Sequence, residues 1–321
     1  MIGVRTPFRV SFSGGSTDIP LFYKKYGGKV ISTSIDKYMY HFIHKFDEQK
    51  IQIKYSETEE VNSSKEIKHP IVKEVSNLYS LKGLDINSIA DIPKGSGLGS
   101  SSSYTVGLVN GLSFYENKTL DKSNLARISA EIEINYLKEP IGKQDHYAAA
   151  YGGLNIFTFN KDDSVIVEPI NLDKQGEFFI NSSMALIKVG KSRSASAILK
   201  KQGKNLESGK NDENNLKILE LVDPMISAIR NYDIKEIGNL LTENWELKKS
   251  LQKEISNDPI QDLIDDYLSK PEIYGAKLLG AGGGGYVLLV GEPKALLNLN
   301  DNNAVYFQFE SSGSSIIFND N

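Results

Sequence analysis

Period-two alternation opens the chain: Phe8, Val10 and Phe12 are separated by Arg9 and Ser11, a pattern that predicts a strand with one buried face. The stretches KVISTSIDKYMYHFIHKF and IQIKYS, rich in β-branched and aromatic residues, predict further strands. The polar run SETEEVNSSKEIKH, Ser56 to His69, then predicts an exposed connection. Helical spacing takes over at TVGLVNGLSFYEN, where Val106, Val109, Leu112 and Phe114 or Tyr115 recur on one side. A second helix is expected over DKSNLARISAEIEINYL, with Asp121 as N-cap and Leu125, Ile128 and Ile132 on its apolar face. LNIFTFN, VIVEPI and MALIKVG again read as strands. The run Lys200 to Asn215, KKQGKNLESGKNDENN, is polar enough to predict a mobile loop. Late helices begin at Asp233, with Glu236 three residues on in a capping-box arrangement, and at Asp258-Pro259. Three short runs, YVLLVG, AVYFQFE and SSIIF, close the chain as strands. The pattern supports two mixed α/β halves.

Composition narrows the function classes. The chain has 321 residues, 40% hydrophobic and 24% charged, as in a soluble globular protein. A net charge of −4 provides no global basic field for nucleic acid or an acidic membrane. With no cysteine, neither disulfides nor thiolate metal sites exist, and the four histidines, His41, His44, His69 and His146, lack metal-ligand spacing. The amino-terminal stretch lacks a basic start followed by an apolar run, and no apolar stretch approaches a membrane span. A cytoplasmic protein is expected, with small-molecule partners and neither nucleic acid nor membrane.

The stretch IPKGSGLGSSSS, Ile92 to Ser103, places three glycines and five hydroxyl side chains immediately before the apolar helix. A flexible linker would be flanked by polar sequence. Here the glycines remove Cβ atoms that would obstruct an approaching anion, and the helix start offers unpaired N–H groups. Neither the P-loop spacing nor the dinucleotide fingerprint is present. Taken alone, the stretch is either a phosphate cradle or a tight strand-to-helix turn.

Two further stretches bear on that choice: RTPFRVSFSGGSTDIP near the amino terminus and GAKLLGAGGGGYVLL near the carboxyl terminus. In order, the three resemble the three motifs of the galactokinase, homoserine kinase, mevalonate kinase and phosphomevalonate kinase superfamily, the GHMP kinases. The central signature is matched by Pro93, Gly95, Gly97, Leu98, Gly99, Ser100 and Ser101, with Ser102 and Ser103 where alanines are usual. Within the superfamily, RTPFRVSFSGGSTDIPLF, YGGKVISTSIDKY, EPIGKQDHYAAAYGGLN and SRSASAIL resemble D-glycero-D-manno-heptose 7-phosphate kinases, and fucose kinases share much of this pattern. The resemblance implies an α+β, two-domain fold. A ribosomal-protein-S5-domain-2-like, ATP-binding half would span 1–182 and a ferredoxin-like half 183–321, with ATP and substrate between them. The implied activity is ATP-dependent phosphorylation of the anomeric C1 hydroxyl of the heptose 7-phosphate to the 1,7-bisphosphate, for nucleotide-heptose synthesis. A fucose kinase or other sugar-1-kinase is the alternative within the superfamily. A non-catalytic module sensing sugar and ATP is the alternative of another class.

The resemblance also assigns residues. Asp145 matches the aspartate that accepts a proton from, or orients, the attacking hydroxyl, and Lys143 is a candidate to keep it ionised. Pro93, Gly95, Ser96, Gly97, Leu98, Gly99, Ser100 and Ser101 would hold ATP. Ser101 matches the serine that ligates Mg²⁺, with Glu133 as carboxylate partner and Glu131 as the solvent-facing alternative. Arg9 would stabilise the transferring phosphoryl group. Ser13, Gly14, Gly15, Thr17 and Asp18 would meet the sugar, and Arg193, between Ser192 and Ser194, a phosphate already on it. Gly282 and Gly283 belong to the third motif, a loop expected to help close the site. Tyr104 and Tyr147 line the cleft or pack in the core, His146 is expected to pack or support its neighbours, and Trp245 is expected in the core.

Overall fold

The computed structural model describes residues 1–190, 195–299 and 301–320. Its first sheet holds β1 (Ile2–Ser13), β2 (Gly28–Lys45), β3 (Ile51–Lys54), β4 (Thr58–Val61), β5 (Leu84–Ala90), β6 (Leu154–Phe159), β7 (Val165–Pro169) and, from the far end of the chain, β12 (Ser315–Asn319). The second holds β8 (Met184–Val189), β9 (Ile273–Leu278), β10 (Gly285–Gly291) and the two-residue β11 (Ala304–Val305), in the order β11-β8-β10-β9.

The long β2 organises the first sheet. One edge runs antiparallel to β1, from Ile2 opposite Ile43 to Ser13 opposite Ile31. The other is shared, its first third pairing with β6 and its last with β5. Phe8, Val10 and Phe12 are fully buried, as their alternation predicts, but so are Arg9 and Ser11 nearly so. Both faces of β1 are therefore covered, and the polar residues between the apolar ones point into a cleft instead of solvent. The run 56–69 is more ordered than its polarity suggests. It contains β4, whose Glu59 accepts from the amides of Lys68 and His69 and so folds the segment back on itself.

Helices α1 (Pro20–Tyr26), α2 (Pro70–Val75), α3 (Ser100–Tyr115), α4 (Lys122–Glu131) and α5 (Gln144–Tyr151) belong to the first half, and α3 and α5 pack on the sheet formed by β1 and β2. After α6 (Lys174–Ser182) come α7 (Ala195–Glu207), α8 (Asp212–Glu220), α9 (Val222–Arg230), α10 (Ile234–Leu251), α11 (Asp258–Leu268) and α12 (Pro293–Leu297). The 18-residue α10 joins the halves, packing on β1 and on β9 and β10. Its contact with β9 is close because both sides carry glycine: a Cβ on Gly275 would lie 2.0 Å from the Gly238 carbonyl oxygen. Trp245 is fully buried on α10, as expected.

One expectation is corrected. Lys200–Asn215 is not a loop but the body of α7 and the start of α8. Leu206 packs with Ile19 and Phe22, Gln202 Nε2 donates to Ser16 Oγ at 2.7 Å, and Asp212 takes Lys25 and Tyr26. These partners come from the first half, so no local pattern announces the helix. At the far end of the chain β12 returns to pair antiparallel with β1, Ile2 opposite Asn319 and Arg5 opposite Ser315. The free edge of β1 takes the last strand of the chain.

Candidate active site

A cavity of about 1060 Å³ lies between the halves, and most of the singled-out residues surround it. Arg9 enters from β1 and Asp145 from the first turn of α5. The guanidinium grips the carboxylate with two bonds, Nε to Oδ1 at 2.7 Å and Nη2 to Oδ2 at 2.8 Å, while Nη1 donates to the Gly97 carbonyl at 2.6 Å. Such a fork fixes position as well as charge. Arg9 is 4% exposed, whereas the Asp145 side chain keeps 23% of its surface open to the cavity. Lys143, expected beside Asp145, instead pairs with Asp163 at 2.6 Å and lies over the Tyr23 ring.

The glycine stretch turns sharply into α3, with Gly95, Gly97 and Gly99 all at positive φ and Gly99 in the N-cap position. Gly97 meets the third motif across the cavity floor, because a Cβ on Gly280 would sit 2.3 Å from the Gly97 Cα. Pro93, Gly95, Gly97, Gly99, Ser100 and Ser101 line the cavity. Leu98 is buried in the core, and Ser96 is buried with its Oγ accepting from the Leu98 amide at 3.4 Å. These two shape the turn from behind.

Glu133 and Glu131 separate cleanly. After α4 the chain widens into a π-helical turn, Ile132–Tyr136, which carries Glu133 inward. Glu133 is 2% exposed and receives Ser101 Oγ at 2.5 Å, Thr105 Oγ1 at 2.8 Å and contacts His146 Nε2 at 3.0 Å. Burial alone would raise its pKa, but the His146 contact, then the Ser101 and Thr105 hydroxyls, override it and leave the carboxyl below its usual range. Glu131 pairs with Arg127 one turn back on α4. His146 thus supports Glu133, in line with the reading of a supporting neighbour.

The first motif divides its residues between cavity and scaffold. Gly15, Ser16 and Asp18 line the cavity, together with Ser11. Asp18 accepts from the Gln144 amide at 3.0 Å and the Ser16 amide at 3.2 Å, so it also braces the start of the helix that carries Asp145. Desolvation pushes its pKa up to about 6, against these amide bonds. Thr17 departs from the expected sugar contact: it is fully buried and spends its hydroxyl on the carbonyls of Gly14 and Lys29. Ser13 is likewise fully buried, and Gly14 lies against Lys29, where a Cβ would come within 2.0 Å of the carbonyl oxygen. Neither lines the cavity. In the third motif it is Gly280 and Ala281 that line it, while Gly282 and Gly283 pack on Ile255. Arg193 lies outside the described residues. Tyr104 lines the cavity beside His69, whose ring stacks on it at 4.8 Å, and Tyr147 packs against Phe157 and Phe159.

Among the cavity residues that escaped the sequence reading are Asn244 and Lys248, one turn apart on α10, and Lys277 on β9. Lys277 falls only three residues before the glycine run, and that proximity was the available signal. Asn244 and Lys248 sit in an ordinary amphipathic helix, and nothing local distinguishes them.

A two-domain fold with a glycine-walled cleft, a clamped aspartate and a buried carboxylate beside a helix N-terminus defines a class of small-molecule kinases. The family models agree: "GHMP kinases N terminal domain" matches residues 66–153 and "GHMP kinases C terminal" matches 225–299, and the chain belongs to the GHMP kinases. It is an ATP-dependent sugar kinase. The D-glycero-alpha-D-manno-heptose 7-phosphate kinase of Campylobacter jejuni is 29% identical over 93% of this chain and 91% of its own length. The galactokinase of Thermosipho africanus is 26% identical over 89% of this chain and 88% of its own. Among solved structures, a D-glycero-D-manno-heptose 1-phosphate kinase from Bacteroides thetaiotaomicron superposes with a TM-score of 0.81 at 23% identity, covering both chains in full. A Lactococcus lactis galactokinase bound to galactose superposes with 0.76 at 17% identity, over 98% of this chain and 94% of that one, and these two likenesses establish the shared fold.

Proposed function

We propose that this kinase phosphorylates the anomeric hydroxyl of D-glycero-D-manno-heptose 7-phosphate, giving the 1,7-bisphosphate. The observation that carries the reading is the Asp145 carboxylate, clamped by Arg9 beside the glycine turn and open to the cavity, in a chain whose likeness to a heptose 7-phosphate kinase runs nearly end to end.

Each carboxylate oxygen of Asp145 holds one Arg9 donor and keeps a lone pair for the acceptor hydroxyl. Asp145 orients that hydroxyl for in-line attack. As the acceptor oxygen bonds to the γ-phosphorus, the bond from phosphorus to the bridging oxygen breaks, its electron pair leaves with ADP, and the hydroxyl proton passes to Asp145. An anomeric hydroxyl is more acidic than an ordinary alcohol, so a carboxylate suffices as acceptor. Asp18 and the Gly15 backbone would meet the ring hydroxyls.

Ser101 and Glu133 offer the hard oxygen donors that Mg²⁺ prefers, and Glu133 is held in its ionised form. Mg²⁺ would take its remaining ligands from phosphates and water. Bound there, Mg²⁺ would neutralise phosphate charge. The residues around Tyr55, His69, Ile92 and Pro93 form the aromatic and apolar end of the cavity, where the adenine ring would lie.

The deciding experiment measures ADP release with ATP and Mg²⁺ against the heptose 7-phosphate, mannose 6-phosphate, fucose and galactose. The reading expects turnover confined to the phosphorylated sugars. Preference for free fucose would move the protein to the fucose kinases; no turnover with any of the four would remove the substrate assignment altogether.

A further inference from the structure

The wall of the cavity supplied by the second half is made of donors without an anion. Lys248 Nζ donates to the carbonyls of Leu278 at 3.3 Å and Gly280, and Lys277 Nζ to those of Phe12 at 2.8 Å and Ser11 at 3.3 Å. When protonated, each amine keeps a third N–H beyond these two bonds. Among the described residues no carboxylate forms an ion pair with either amine; the one nearby, Asp145, is already gripped by Arg9. Asn244 is 2% exposed, and among the described residues its Nδ2 has no acceptor; Ser11 Oγ, also buried and lining the cavity, has no partner among them either.

A buried amine, Lys277, and a half-buried one, Lys248, without a counter-ion among the described residues are costly. Burial pulls Lys248 down to about 7, helped by the Arg9 charge and opposed by Asp145, and holds Lys277 well below its usual value, with Lys248 and Arg9 adding to the effect. An arriving anion reverses both shifts and repays the burial. The location narrows which anion. Lys248 holds Gly280, which packs on Gly97 of the phosphate turn; Lys277 holds β1 between Arg9 and the sugar-facing turn. The corner lies where donor and acceptor must meet.

We propose that Lys248, Lys277 and Asn244 form a pocket for the phosphoryl group in transfer, completing from the second half the cage that Arg9 begins from the first. This rests on the kinase reading but not on the identity of the sugar. The shared chemistry is a tetrahedral phosphate, and the assigned source is the γ-phosphoryl of ATP, not a phosphate carried by the acceptor.

The test is equilibrium titration, without acceptor, of the wild type, Lys248→Met, Lys277→Met and Lys248→Arg with Mg²⁺ and either ADP or the β,γ-imido analogue of ATP. Each Met variant should bind ADP as the wild type does, which also reports correct folding, and lose about tenfold in its preference for the analogue over ADP. Lys248→Arg should retain most of that preference. An unchanged preference in both Met variants overturns the pocket. Unchanged analogue binding with weakened binding of the sugar phosphate, measured separately, overturns the assigned occupant. Because the nucleotide titrations contain no sugar, their outcome is independent of whether the heptose assignment stands.

Discussion

The two walls of the cleft handle charge in opposite ways. On the first-half wall the buried ionised groups are matched: Arg9 with Asp145, Glu133 with Ser101, Thr105 and His146, Asp18 with two backbone amides. On the second-half wall Lys248 and Lys277 rest on carbonyl oxygens, and Asn244 Nδ2 has no acceptor among the described residues. The matched wall is rigid before ligand arrives, as groups that orient a nucleophile must be. The unmatched wall is complementary to a charge that arrives with the substrates, so its electrostatic stabilisation is realised only when phosphate is present.

Breaking the matched wall should have the largest effect. Asp145→Ala should lower kcat by about 10³-fold or more, in the range for loss of a proton acceptor, with little change in ATP affinity measured by titration. Equal loss of ATP affinity would mean that Arg9, released from its partner, had collapsed the phosphate turn. Gly97→Ala comes next: its Cβ would lie 2.6 Å from the Leu279 carbonyl at a φ of +78°, so the turn must shift away from the third motif. ATP affinity should fall at least tenfold while the melting temperature changes modestly. Glu133→Gln should raise the Mg²⁺ concentration needed for half-maximal nucleotide binding by roughly tenfold, since the amide keeps the shape but loses the charge. An unaltered Mg²⁺ requirement would remove Glu133 from the cation site.

Smaller effects sharpen the contrast. The folded protein holds the Asp18 proton up to about pH 6, whereas the unfolded chain releases it near 3.8. Asp18 therefore favours folding at the acid end of that window, and its contribution is lost as pH rises through 6. The stability difference between wild type and Asp18→Asn should consequently move against the wild type from pH 4 to pH 6.5, read by denaturant titration. A difference independent of pH would mean that Asp18 is ionised throughout. The smallest effect is expected outside the walls: Leu206→Ala, in the satellite cluster with Ile19 and Phe22, should cost about 2 kcal/mol and loosen α7 without changing ADP affinity. Hydrogen exchange over α7 reads it directly.

Much of this was determined by the chain's own pattern. Alternation specified β1, and the glycine and serine run before an apolar helix marked a sharp turn into α3. Three ordered motifs pointed to the kinase family, because each imposes local geometry that few residue types tolerate. Tertiary structure decided the rest. That Glu133 is buried against Ser101, Thr105 and His146 while Glu131 pairs with Arg127 is seen only in the packed structure. Thr17, Ser13 and Gly14 turned out to support the motif from behind, while Lys200–Asn215 became helix through partners some 180 residues away in sequence. Lys248 and Asn244 acquired their place only when α10 settled between the two sheets. A spacing rule reports which face of an element is buried; it takes the packed structure to show what that face is buried against.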